Sequence, residues 1–106
     1  MLTVIAEIRV HSGEQHKSKV VHAFEKIIPT ILAEHGCQSY KILVDANVDA
    51  SYQVQDPNLI FTIEQWESIE DLNAHLQTEH IKAAQKEVKD DVVDMKIRIL
   101  EHTFSF

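Results

Sequence analysis

Apolar side chains in this sequence switch between a two-residue and a helical spacing, and the order of the switches leaves few folds open. Leu2, Val4, Ala6, Ile8 and Val10 fall on one face of a strand. His11-Ser12-Gly13 turns the chain. From Glu14 onward, Val20, Val21, Phe24, Ile27, Ile28, Ile31 and Leu32 form the stripe of an amphipathic helix. Pro29 lies inside that stripe and is expected to kink the helix or end its first section, because its ring removes a helical N–H. Gly36 supplies the stop. Residues 37–44 and 59–67 read as the second and third strands, separated by a polar stretch, 45–58, with a short extended piece around residues 52–54. Ser68 with Asp71 resembles a capping box with Asp in place of Glu, opening a short helix to about Leu76. Thr78 can cap a further helix carrying Ile81, Ala84, Val88 and Val92. Residues 95–104 close the chain as a strand whose alternation slips between Ile99 and Leu100, the signature of a bulge.

The order β-α-β-β-α-β is the ferredoxin-like, split βαβ arrangement of an α+β fold. Its helices cover one sheet face. Ile5, Tyr40, Ile42, Ile60 and Trp66 make the second face too apolar to stand in water, so a two-fold homodimer packed sheet against sheet, a dimeric α/β barrel, is expected. A length of 106 residues fits one domain, small enough that a partner subunit would help to bury its surface. A net charge of −7 counts against nucleic acid and anionic membrane as partners, since both reward clustered Lys and Arg. The apolar N-terminus lacks a leading positive charge and is interrupted by Glu7 and Arg9, so it reads as a strand rather than a signal peptide. No apolar run approaches the roughly 18–20 residues that span a bilayer. Cys37, the single cysteine, cannot form an intrachain disulfide, which fits a cytoplasmic protein.

Residue types able to do chemistry concentrate between Glu64 and His80. Trp66 shares a strand face with Glu64 and reads either as core or as a wall on which a flat molecule stacks; the two are compatible. His75 lies near the end of the short helix, on the side of Leu72 and Leu76, the usual place of a structural histidine. His80 sits in the first turn after Thr78, where the positive end of the helix dipole disfavours imidazolium. A neutral ring there could accept a proton from a phenol or an enol, or could simply cap the junction. Tyr40 could hold a substrate oxygen or serve as a core tyrosine. Glu7 and Arg9 project together from the first strand and read as an exposed or interfacial ion pair. His75 and His80 are five residues apart, with the Thr78 break between them; His-Glu-x-x-His and Cys pairs are absent, so no metal is expected. His11, His16, His22, His35 and His102 read as solvent-facing or structural. Cys37 has no basic neighbour in sequence to activate it. With only two glycines, Gly13 and Gly36, no glycine-rich nucleotide loop can form, and no cofactor is expected.

The element order and several motifs together resemble the antibiotic biosynthesis monooxygenase family of dimeric α+β barrel proteins. The resemblance rests on Val4-Ile5-Ala6-Glu7-Ile8-Arg9-Val10, Glu34-His35-Gly36-Cys37-Gln38-Ser39-Tyr40, Asp56-Pro57-Asn58, Glu64-Gln65-Trp66-Glu67-Ser68 and Ala74-His75-Leu76-Gln77-Thr78-Glu79-His80. It covers nearly the whole chain. It implies a homodimer acting on a small molecule, with His75 or His80 as the base and Trp66, Tyr40 and Glu64 binding the substrate. Members of the family include quinol and polyketide oxygenases, heme-degrading enzymes and an isomerase that processes a quorum signal. Heme-degrading relatives carry an Asn, a Trp and a His where this chain has Ile8, Trp66 and Gln85, so two of the three are missing. The isomerase branch shares the His-x-x-Thr-x-His pattern of His75, Thr78 and His80, but no phosphate loop or basic cluster accompanies it here. The resemblance thus implies a cofactor-independent monooxygenase of a small aromatic or quinol-like compound. An isomerase or tautomerase of a small oxygenated metabolite and a non-catalytic binding dimer are the alternatives.

Overall fold

The computed structural model describes residues 1–103, so Phe104, assigned above to the closing strand, lies outside the described residues. Four strands, β1 (Leu2–Val10), β2 (Cys37–Leu43), β3 (Leu59–Trp66) and β4 (Val92–Leu100), form one sheet in the order β2-β3-β1-β4, every neighbouring pair antiparallel. Four helices, α1 (Glu14–Glu25), α2 (Ile28–Leu32), α3 (Ile69–Leu76) and α4 (Glu79–Glu87), are inserted between β1 and β2 and between β3 and β4. This is the α+β ferredoxin-like arrangement.

Local chemistry explains most element ends. α1 stops at Glu25, and Pro29 sits in the first turn of α2, where its missing N–H has no intrahelical partner to lose. Ser68 caps α3 by accepting from the Asp71 backbone N–H at 3.1 Å. The Asp71 carboxylate does not reach back to the backbone as a capping box would; it accepts from the Ser68 hydroxyl at 2.9 Å. Thr78 accepts from the Ile81 N–H and donates to the His75 carbonyl at 2.8 Å, which ties the end of α3 to the start of α4. Gly36 has φ +80°, and a Cβ there would run into the Asp71 carboxylate. Gly36→Ala is therefore expected to cost at least about 1–3 kcal/mol, measured as a fall in the midpoint of thermal unfolding.

Three expectations are corrected. No strand forms in the 44–58 segment; Tyr52 and Val54 are each 90% exposed, and Gln53 N–H instead closes a turn onto the Ala50 carbonyl. β4 begins at Val92, which the helical pattern had claimed. It pairs with β1 in steady register from Asp94 to Leu100, so the irregularity falls at Arg9/Val10 against Val92 rather than at Ile99/Leu100. Leu100 simply faces the other side of the sheet from Ile99.

The third correction concerns the sheet faces. Tyr40, Ile60 and Trp66 lie on the helix-covered face, and Ile42 shares it and packs against the core. They join Val4, Ile8 and Val10 against Val20, Phe24, Ile31, Leu72, Ile81 and Val88 of the helical layer. Of the five residues assigned to the open face, only Ile5 is there. Its cross-strand partner is Ile63, and Phe61 opposes Glu7 and Leu43 beside it, all half-buried or exposed. Arg9 pairs with Asp56 at 3.1 Å across to the polar segment, not with Glu7. At the sheet edge, Met95, Ile97 and Ile99 point toward the helical side but remain 37–49% exposed.

Candidate active site

Glu34 is the residue around which the site is built. It follows α2, with its N–H on the Ile31 carbonyl, just before the Gly36 turn into β2. His75, in the last turn of α3, places Nδ1 at 3.0 and 2.9 Å from the two Glu34 carboxylate oxygens. His80, in the first turn of α4, places Nε2 at 2.6 Å from Oε2 of the same carboxylate. The Thr78 cap makes this possible: it breaks the helix so that two imidazoles on successive helices converge on one acid. The five-residue spacing, which on a continuous helix would splay them, does not apply.

Burial grades across the group. The His75 side chain is 3% exposed, Glu34 12% and His80 22%. The Trp66 indole, fully buried, lies against the His75 ring with centroids 4.6 Å apart, and the Tyr40 ring stands 6.1 Å away on another side. The Nδ1–H of His75 donates to Glu34, so Nε2 is the free edge of the ring; among the described residues no hydrogen bond engages it. His75 lines a small cavity between sheet and helices, together with Tyr40, Thr62 and Glu64.

Glu64 is buried with its two oxygens already occupied. Oε2 accepts from the Thr62 hydroxyl at 2.8 Å and Oε1 from the Trp66 indole N–H at 3.0 Å. It lines the cavity, and its visible work is to fix Trp66. Burial first, and then the negative charge of Glu64, push the Tyr40 phenol far above its ordinary pKa. Tyr40 therefore keeps its proton and can act only as a hydrogen-bonding hydroxyl. Burial and the charge of Glu34 likewise push the Cys37 thiol up, so it is no nucleophile.

The inner cavity has a free volume of about 30 Å³, room for one water. Phe24, Gln85 and Met95 separate it from an outer hollow of about 250 Å³ flanked by Val88, Lys89 and Val92. Ile8 and Gln85, the positions that set this chain apart from heme-degrading relatives, both line the inner cavity. A larger groove of about 550 Å³ runs along α1 against Val44 and holds none of the predicted site residues.

The structure thus brings Tyr40, Glu64 and His75 together around one cavity, with Trp66 buried against His75 and outside the cavity lining, and His80 joined to His75 through Glu34. Glu34 was quoted above within a motif without any role. The signal was present: Val20, Phe24, Ile27, Ile31 and Glu34 follow one helical stripe, so Glu34 continues an apolar face with a charge. Elsewhere, His16 is held by Asp91 and His35 by Asp71, each at 2.8 Å, while His11, His22 and His102 are exposed.

Comparison with known proteins adds context to this geometry. The sequence family described as "Antibiotic biosynthesis monooxygenase" matches residues 1–87. The Escherichia coli (strain K12) protein named "Probable quinol monooxygenase YgiN" is 52% identical over 101 residues, which covers 95% of this chain and 97% of that protein. Among solved structures, PA3566 from Pseudomonas aeruginosa superposes with a TM-score of 0.80 at 26% identity, over 97% of this chain and 94% of the other. A crystal structure described as an antibiotic biosynthesis monooxygenase gives 0.77 at 22% identity, over 97% and 99% of the two chains, a likeness of fold.

Proposed function

The chain belongs to the antibiotic biosynthesis monooxygenase family, and from that premise we propose that it is a cofactor-independent monooxygenase of quinol-like aromatic compounds. The observation that carries the reading is the Glu34–His75–Trp66 assembly: an oriented imidazole with a free Nε2, packed against an indole at a largely apolar cavity. Nε2 of His75 takes a phenolic proton, as a general base in a water-poor site. The phenolate formed is electron-rich enough to reduce dioxygen directly. The substrate supplies all four electrons: one oxygen atom enters the ring, the other leaves as water, and a hydroquinone becomes a hydroxyquinone. Tyr40, held protonated and lining the same cavity, donates to a substrate oxygen in this reading. His80 acts behind His75, holding Glu34 in place from the far side.

A ring does not fit a cavity for one water, so entry runs from the outer hollow with Met95 and Gln85 swinging aside. The unbranched Met side chain suits that movement. The test is oxygen uptake by purified protein across hydroquinones, naphthols and catechols, with product mass gaining one oxygen. No uptake with any of them would sink the reading, and conversion without uptake would make the protein an isomerase instead.

The same reading includes a two-fold homodimer. It is supported by the half-covered Ile5, Phe61 and Ile63 on the open face and by exposed Ile97, Ile99 and Leu100 along β4. Sedimentation at micromolar concentration is expected to give twice the 12.2 kDa chain mass. No helix among the described residues is long and apolar enough to cross a membrane. The lone Cys37 suits a reducing compartment, and the cytoplasm is the proposed location.

A further inference from the structure

We propose that Glu34, His75 and His80 form a three-ligand site for a divalent transition-metal ion such as Zn²⁺, and that its occupancy switches His75 off as a base. The second half rests on the function proposed above; the first does not. Two imidazole nitrogens and a carboxylate are the donor set of one class of zinc site, which leaves the fourth position open to water. Here the three donor atoms all lie within 4.8 Å of one another. They come from three separate elements: the segment after α2, the end of α3 and the start of α4.

The present separations are those of hydrogen bonds, 2.6 to 3.0 Å. Tetrahedral zinc with bonds of about 2.0–2.2 Å spaces its ligand atoms roughly 3.3–3.5 Å apart, so the His75 contact must open by roughly 0.5 Å and the His80 contact by roughly 0.8 Å. Side-chain torsions can supply that. Among the described residues no Lys or Arg pairs with Glu34, so a metal ion displaces only the two histidine contacts. Access is through His80, the most exposed of the three. A second group, His35, Glu67 and Asp71, also gathers possible ligands, but His35 is exposed and Asp71 is already shared between His35 and Ser68.

The switch follows from proton placement on His75. While Nδ1–H donates to Glu34, Nε2 of the neutral ring, on a residue that lines the cavity, is left as the acceptor. A metal ion on Nδ1 takes that nitrogen's lone pair, and the neutral ring must then hold its proton on Nε2. The group facing the cavity changes from acceptor to donor, and substrate deprotonation stops. No electron moves and no bond other than N–H and metal–ligand bonds changes.

Chelator-stripped protein is to be titrated with Co²⁺, followed by visible absorption and by fluorescence of Trp66, the only tryptophan and in contact with His75. Zn²⁺ competition then gives its affinity. The expected result is one ion per chain, with affinity falling more than ~100-fold in both Glu34→Gln and His80→Gln, since loss of outer partners alone costs 10- to 100-fold. Both variants are checked for folding by circular dichroism, and oxygen uptake by the unsubstituted protein is expected to fall with the same Zn²⁺ midpoint. Absence of binding, or binding that both folded variants retain, overturns the site and leaves the base role of His75 untouched. Binding that depends on the triad without any loss of oxygen uptake overturns the switch, and with it the assignment of His75 as base.

Discussion

Replacing His75 with alanine is expected to lower kcat for quinol oxidation by about 10²- to 10⁴-fold, the range that a positioned general base contributes. KM should move much less, because the apolar cavity wall of Ile8, Phe24 and Leu76 is unchanged. His75→Gln keeps more of the volume and should be as inactive, which separates lost chemistry from lost packing. Glu34→Gln is the informative companion. It leaves the carbon skeleton in place but removes the anion that holds the Nδ1 proton, so His75 spends part of its time in the wrong tautomer and kcat falls. If His75→Ala retained full turnover while remaining folded, the base would have to be sought elsewhere in the cavity, where Tyr40 is too strongly protonated to serve. Steady-state oxygen consumption at saturating and limiting quinol decides between these outcomes.

The largest effect on stability is expected at Trp66. Its side chain is fully buried between β3 and the helices, and such a Trp→Ala change costs about 3–5 kcal/mol. In addition, Glu64 loses the donor to one oxygen. Against a total stability of about 5–15 kcal/mol for a small domain, that removes from a fifth to nearly all of it. Trp66→Phe isolates the polar part: most apolar contact survives, but Glu64 Oε1 is left without its indole partner, for a cost of about 1–3 kcal/mol. Urea unfolding followed by circular dichroism measures both. A Trp66→Ala variant as stable as the parent chain would mean that the pocket relaxes around the gap far more than so dense a contact set suggests.

The two predictions draw on different depths of legibility. Element order and the residues between Glu64 and His80 could be read from the sequence because periodicity, caps and breakers are local. Pro29, Ser68 and Thr78 each act within a turn of where they stand. Pairing is not local, and it is not written in the order of residues along one strand. β3 carries apolar residues at both parities, Ile60 on one face and Leu59, Phe61 and Ile63 on the other, so alternation alone cannot say which face meets the helices. That is how Tyr40 and Trp66 came to be placed on the open side. Glu34 was overlooked for a similar reason. Its partners lie 41 and 46 residues away, and only the tertiary fold makes its charge in an apolar stripe meaningful. The dipole expectation for His80 likewise left out the carboxylate that turns out to be its nearest charged neighbour.

The commitment of Glu64 has a consequence for selectivity. The indole N–H of Trp66 is spent inside the protein and its ring lies fully buried against His75, so the tryptophan backs the pocket without offering a guest a donor of its own. The inward-facing polar contacts left to a substrate are few, chiefly the free nitrogen of His75 and the Tyr40 hydroxyl. Pockets of this kind distinguish guests differing by a methylene by only about 1–3 kcal/mol. For the reaction proposed above, such a pocket is a generalist among ring congeners: it would read an acidic hydroxyl on a planar body and leave the rest of the molecule largely unread.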